Sequence, residues 1–361
     1  MKKYNFYSGP AILPESVLEQ TRNAITDFAG TGLSILEISH RSNEFVKVMD
    51  EARALAKALM GLGDEHELLF LHGGALSQFH MVPMNLLPTD GTASYFDTGT
   101  WASGAIKEAK LFGNVHTACT SADKHYTYIP KTYTVAEGSA YLHITTNNTI
   151  YGTQISSKYI DEILENNEHV VADMSSDILS RQLPYSRFDL IYASAQKNIG
   201  PAGTTLVAVK KKLLGHTGRS IPKMLDYLKH IEKESMLNTP SVLAVFVSKL
   251  VLEWIQQNGL EQIELINRQK AALLYKALDE SSVFTCEVDK ESRSFMNVCF
   301  KLQQPDAVIE KKFVEHCTQN NIVGIKGHRS VGGFRASIYN AMPLSGVEAL
   351  VTAINEFEKT V

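Results

Sequence analysis

The chain has 361 residues, a net charge of −4, 44% hydrophobic and 20% charged side chains, the proportions of an ordinary globular protein. With a pI near 6.3 and no basic domain, it lacks the clustered Lys and Arg of a nucleic-acid footprint. The longest apolar run, 242–247, is far shorter than the ~20 residues that cross a bilayer, and the stretch from Met1 to Pro10 has no apolar core of a secretory signal. A cytoplasmic protein without membrane or nucleic-acid partners is expected. Cys119, Cys286, Cys299 and Cys317 are scattered, without CxxC or metal-ligand spacing, so free thiols and no metal site are expected. Asn147-Asn148-Thr149 fits a glycosylation sequon, a coincidence in a chain without a secretory signal.

From the N-terminus, helical patterns occupy 15–28 and 45–60. Strand-like apolar runs follow at 68–72, 92–97, 140–145, 169–173, 189–193 and 204–209, with helical patterns between them such as 103–111. This alternation predicts an α/β domain whose mostly parallel central sheet is covered by helices on both faces. A helix over 241–257 is expected next, with Thr239 as N-cap, Pro240 at its first position and Gly259 as its stop. The texture then changes. A second long helix, 260–278, precedes strand-like runs at 293–302 and 335–339 and a last helix at 345–359. The expectation is a large domain, 16–258, and a smaller α+β domain made of 1–15 and 259–361, a division that suits ~150 residues per domain.

Ligands of open α/β sheets bind beyond the carboxyl ends of the strands, so the residues at those ends carry the functional reading. The run at 189–193 gives way to Ser194-Ala195-Gln196-Lys197-Asn198-Ile199-Gly200. A lysine ending a buried strand is costly to desolvate, and desolvation makes its amine nucleophilic. The run at 169–173 ends in Asp173. An amine that can bond an aldehyde and a carboxylate that can partner a pyridinium nitrogen point to a pyridoxal-phosphate site; the pair read alone is also compatible with a structural ion pair. His72-Gly73-Gly74-Ala75-Leu76, at a strand-to-helix turn, offers backbone N–H groups for a phosphate, or is a plain turn. Trp101 could stack on a flat ring or fill a gap, and Thr149 lies in a polar loop able to meet a ring hydroxyl.

The second set is cationic. His40-Arg41 and His328-Arg329 lie in loops rich in glycine, serine and asparagine, and Arg335 follows the Gly332-Gly333 turn. Arginine forks match carboxylates and phosphates, so these suit a small substrate carrying both, unless they are solvated surface charges.

Together the segments Asn5 to Ala11, Glu37 to Ser42, Ala172 to Ser180, Ala195 to Gly203, Asn238-Thr239-Pro240 and Lys326 to Asn340 resemble the phosphoserine aminotransferase family. Its members are dimeric fold-type I pyridoxal-phosphate enzymes of the class V aminotransferases. The resemblance covers essentially the whole chain. It implies that Lys197 bonds the cofactor aldehyde and moves the substrate proton, and that Asp173 keeps the ring nitrogen protonated. Trp101 and Thr149 would contact the ring, while Ala75, Leu76 and Gln196 would hold the phosphate. Asn238 and Thr239 would reach the phosphate of a neighbouring subunit, and His40, Arg41, His328, Arg329 and Arg335 would receive substrate anions. Several family members carry Arg where this chain has Leu76, which leaves substrate phosphate to the remaining cations.

The implied reaction is reversible transamination between glutamate and 3-phosphohydroxypyruvate, giving O-phospho-L-serine and 2-oxoglutarate, in serine and, with 4-phosphohydroxythreonine, pyridoxine biosynthesis. The alternatives are a serine– or alanine–glyoxylate transaminase, which would not need doubled His-Arg pairs, or a cysteine desulfurase, which needs a cysteine on a mobile loop rather than in the helical pattern around Cys317. A catalytically dead binding protein would have lost the lysine or the aspartate.

Overall fold

The computed structural model describes residues 3–361; Met1 and Lys2, which the expected small domain includes, lie outside the described residues. In chain order the elements are β1 (Tyr4–Asn5), α1 (Glu15–Thr26), α2 (Asn43–Leu59), β2 (His66–Leu71), α3 (Gly74–Leu86), β3 (Thr92–Asp97), α4 (Thr100–Ala109), β4 (Asn114–Thr120), β5 (Leu142–Thr145), α5 (Ser157–Asn166), β6 (Val170–Asp173), β7 (Leu190–Ser194) and β8 (Thr205–Lys210). After these come α6 (Tyr227–Ile231), α7 (Val242–Asn258), α8 (Leu260–Glu280), β9 (Phe284–Thr285), β10 (Asn297–Leu302), α9 (Ala307–Gln319), β11 (Ile322–Val323), β12 (Phe334–Ser337) and α10 (Leu344–Glu358). Among the described residues no helix is long and apolar enough to cross a membrane.

Seven strands form the large sheet in the order β2-β8-β7-β6-β5-β3-β4. Its strands run parallel except β8, which is antiparallel to both β7 and β2. Side chains alternate across the pleat. Leu68, Phe70, Phe96, Ile144, Ala172 and Ile191 face one core, which also holds Phe45 of α2 and Leu250 of α7. Leu69, Leu71, Tyr95, Val171 and Tyr192 face the other, with Phe79 of α3 and Ile106 of α4. At ~1.5–3 kcal/mol for each fully buried large apolar side chain, two such cores hold the sheet edge as a rigid platform.

A second, antiparallel sheet, β12-β10-β9, packs with α8, α9 and α10 around Phe284, Phe300, Phe313, Phe334 and Phe357. Phe6 joins this core, because β1 pairs in parallel with β11.

Two expectations are corrected, and one strand lies outside the expected runs. The helix after 241 starts at Val242 with Ser241, not Thr239, at its N-cap, because the Thr239 carbonyl instead accepts a hydrogen bond from His72 Nε2 at 3.1 Å. The run at 293–302 is a strand only from Asn297, since Ser294 Oγ takes the N–H groups of Met296 and Asn297 in a turn. The edge strand β4 escaped notice because its polar sequence is largely solvent-facing.

Candidate active site

β7 ends at Ser194, and the chain turns back through Lys197 into antiparallel β8, where Thr205 pairs with both Ser194 and Leu71. The carboxyl ends of β2, β3, β5, β6 and β7 therefore share one edge. On it lies a cavity of about 250 Å³ lined by Gly74, Trp101, Thr149, Asp173, Gln196 and Lys197, among others. Lys197 Nζ donates to Thr149 Oγ1 at 2.9 Å. Burial pushes its amine down to about 8, with Asp173 opposing and the Arg335 guanidinium adding to the shift. Asp173 is buried, and burial raises its carboxyl above the ordinary value even though Ser175, whose N–H donates to Oδ1 at 2.9 Å, and Lys197 pull the other way.

Gly73 and Gly74 adopt φ of +94° and +67° at the start of α3, a region open to glycine at little cost. A Cβ on Gly73 would also lie 1.9 Å from Ser77 Oγ. The first-turn N–H groups of α3 have no intrahelical partner, and Ala75 and Leu76 line the cavity; the Ala75 N–H donates to Ser194 Oγ at 2.7 Å. Trp101 Nε1 and Thr145 Oγ1 are buried without a partner among the described residues. A helix N-terminus for a phosphate, orphaned polar groups, a buried acid and a depressed lysine fit pyridoxal phosphate: the donor set matches its phosphate, ring nitrogen and aldehyde. Leu76, in the same turn, is 62% exposed.

Arg335 is buried on β12 and has no carboxylate partner among the described residues. Nη1 donates to the Thr149 carbonyl at 3.1 Å, Nη2 donates to Ser8 Oγ at 2.8 Å, and Nε has no partner. Thr149 thus touches both the reactive amine and the buried cation. A second cavity of about 380 Å³ adjoins Arg335 and contains His328, Tyr126 and Tyr151. His328 Nδ1 lies 2.7 Å from Ser330 Oγ, and burial, then Arg335 and Arg329, lower its pKa.

The remaining expected residues are not brought to the Lys197 cavity within one chain. Arg329 and Arg41 are exposed, and His40 is half-buried in the loop before α2. Asn238 and Thr239 lie beside His72, with Thr239 exposed. Sequence reasoning missed Ser194 and Asn147 as wall residues of the Lys197 cavity and Ser8 as a partner of Arg335. Ser8 lies within the Asn5–Ala11 segment, but only the pairing of β1 with β11 brings it to Arg335.

Residues 3–350 match the profile of a family described as Aminotransferase class-V. Phosphoserine aminotransferases of Parabacteroides distasonis and Flavobacterium johnsoniae are each 53% identical to the chain, over 360 residues (99% of both chains) and 363 residues (100% of both). Among solved structures, phosphoserine aminotransferase from Bacillus circulans subsp. alkalophilus superposes with a TM-score of 0.93 at 42% identity, covering 99% of each chain. The PLP-bound phosphoserine aminotransferase of Trichomonas vaginalis gives 0.90 at 32% identity, covering 98% of this chain and 100% of its own. Alanine–glyoxylate aminotransferase from Nostoc sp., at 15% identity and a TM-score of 0.76, over 99% of this chain and 95% of its own, shares the fold.

Proposed function

The chain belongs to the class V aminotransferase family, whose members depend on pyridoxal phosphate, and on that premise we propose that it moves an amino group between glutamate and 3-phosphohydroxypyruvate. The products are 2-oxoglutarate and O-phospho-L-serine, which puts the enzyme in serine biosynthesis, with 4-phosphohydroxythreonine as a further substrate on the route to pyridoxine. One observation carries the reading. Arg335 is a buried guanidinium without an acid among the described residues, joined through Thr149 to Lys197. A buried cation left unpaired is costly, and a substrate carboxylate beside the reactive amine relieves that cost.

When bound, pyridoxal phosphate supplies an electron sink for charge developing at the substrate Cα. This chain's residues do the rest. Lys197, whose amine burial pushes down to about 8, would hold the cofactor's aldehyde and, once the substrate amine has displaced it, would be free to take the Cα proton and return it, as a base poised near working pH should. Asp173 would hold a proton on the ring nitrogen. Trp101 and Thr149 would bind the ring, and the amides of Ala75 and Leu76 with Gln196 would bind the phosphate. Arg335 orients the carboxylate common to both substrates. His328, Arg329, His40 and Arg41 take the substrate phosphate in one half-reaction and the γ-carboxylate of glutamate in the other, since both are anions that the same cations can serve.

The exposure of Arg41 and Thr239 supports a homodimer in which His40, Arg41, Asn238 and Thr239 complete the partner's site. We also divide the chain into a large domain, 16–258, and a small one, 1–15 with 259–361, and assign the enzyme to the cytoplasm.

The test uses the purified yellow enzyme with one amino donor at a time. O-phosphoserine and glutamate are each expected to bleach the visible cofactor absorbance, with serine, alanine and cysteine far slower. Bleaching by alanine or serine with phosphoserine inert would leave the fold right and the substrate wrong.

A further inference from the structure

A continuous buried hydrogen-bond chain runs from the wall of the Lys197 cavity to Arg335, and its central member is a residue with no part in the chemistry described so far. Asn147 lines that cavity. Its Nδ2 donates to Asn297 Oδ1 at 2.8 Å and to Ser176 Oγ at 2.8 Å, while its Oδ1 accepts from Ser294 Oγ at 2.5 Å. Asn297, the first residue of β10, is fully buried. Its Nδ2 donates onward to Ser337 Oγ at 3.0 Å and to Tyr339 OH at 3.2 Å. Tyr339 OH donates to the Ser8 carbonyl at 2.9 Å, and Ser8 Oγ accepts from Arg335 Nη2 at 2.8 Å. The chain closes on itself, because Arg335 Nη1 reaches the Thr149 carbonyl, two residues beyond Asn147.

We infer that Asn297 is a positioning residue: through Asn147 on one side, and Tyr339 and Ser8 on the other, it fixes the guanidinium of Arg335 relative to the amine of Lys197. The inference rests on the reading of Arg335 as the carboxylate site. Asparagine suits the position because it presents one acceptor to an amide donor and two donors to two hydroxyls, a set that neither aspartate nor leucine reproduces. The backbone supports the same seam. Gly152 takes φ +81°, and a Cβ there would lie 2.9 Å from the Asn297 carbonyl, so only glycine lets the loop after Thr149 approach β10 this closely. Ser337, which accepts from Asn297, sits opposite it in the β10–β12 ladder, with Arg335 two residues away on the same face. The side-chain amides of Asn147 and Asn297 are fully partnered, a buried arrangement that specifies one geometry, and misplacing a binding group by about 1 Å can cost up to about 10²-fold.

The test measures glutarate, an unreactive dicarboxylate, binding to holoenzyme by its effect on the cofactor spectrum, beside KM and kcat for glutamate. Asn297→Ala is expected to raise the glutarate Kd and the glutamate KM together by about tenfold, with kcat changing less than about threefold. Tyr339→Phe, which removes one hydroxyl and keeps the ring, should raise both by about threefold and decides the matter if Asn297→Ala does not fold. The double variant should be no weaker than the worse single one, since both act through one chain of contacts. Unchanged Kd and KM in the folded variants, with only Tm lowered, would overturn the inference. Arg335→Lys is the control. If it weakens glutarate while Asn297→Ala and Tyr339→Phe do not, this inference alone falls; if it leaves glutarate binding intact, the carboxylate reading of Arg335 falls as well.

Discussion

Lys197 and Asp173 stand at the ends of adjacent strands of a sheet packed on both faces, whereas Arg41 and Arg329 stand on exposed loops without a carboxylate partner within the ion-pair distance among the described residues. The first region is finished within one chain: its distances are set by strand register, and burial has already shifted its titrating groups. The second offers charge but no built pocket. Arg335 lies between the two, buried like the floor and cationic like the rim. On the proposed reading, chemistry that needs a fixed amine–carboxylate geometry sits at the ends of doubly packed strands, and recognition of small anions is left to long side chains that a second subunit would complete.

Changes to the floor should therefore act on the chemical step and changes to the rim on substrate choice. Lys197→Ala should lower kcat for every amino donor by about 10²–10⁴-fold and abolish the visible absorbance of the lysine-bound cofactor; full activity with the band retained would remove Lys197 from its role. Asp173→Asn should cost about 10²–10³-fold in kcat/KM, the scale of losing one partner of a buried ion pair at about 3–5 kcal/mol. Because burial raises the Asp173 carboxyl in the folded protein, apo-protein loses stability as pH rises from the unfolded carboxylate value through the folded one. The same variant should thus raise the apo-protein Tm at neutral pH, a gain that a purely structural aspartate would not give.

Arg335→Lys should raise KM for glutamate and phosphoserine alike by about 10–100-fold, as expected when a bidentate fork becomes a point charge. Arg41→Gln and His328→Asn should raise KM for phosphoserine by about tenfold with smaller effects on alanine turnover; equal effects on both donors would mean that the rim does not read phosphate. The smallest expected effect is on apo-protein stability. Lys197 has a folded pKa of about 8 against an ordinary 10.5, so the unfolded chain binds more protons between those values and stability rises with pH across that window. Lys197→Met should flatten the rise in a thermal-denaturation series from pH 8 to 10.5.

Much of the floor was legible before any coordinates. Apolar runs ending in Asp173, Lys197 and His72-Gly73-Gly74 mark strand ends, and strand ends mark ligand sites. The rim was legible only as composition, because an arginine in a glycine-rich loop carries no periodic signal that fixes its direction. Edge strand β4 was missed for a related reason: polar, solvent-facing residues blur the alternation that identifies strands. Thr239 was misread as an N-cap because its bond with His72 crosses 167 residues, and capping rules see only neighbours.

By itself the sequence determined the α/β alternation, the residues able to do the chemistry and the order in which they reach the sheet edge, because hydrophobic periodicity and local turn chemistry are written in short windows. Only the tertiary structure decided that Thr149 joins Lys197 to Arg335, that Ser8 and Tyr339 reach the same guanidinium, and that Asn297 lies between Asn147 and Tyr339. Those contacts link residues from 42 positions apart, Asn297 to Tyr339, to 331 apart, Ser8 to Tyr339. They follow from how two cores pack on each other, which no local pattern encodes.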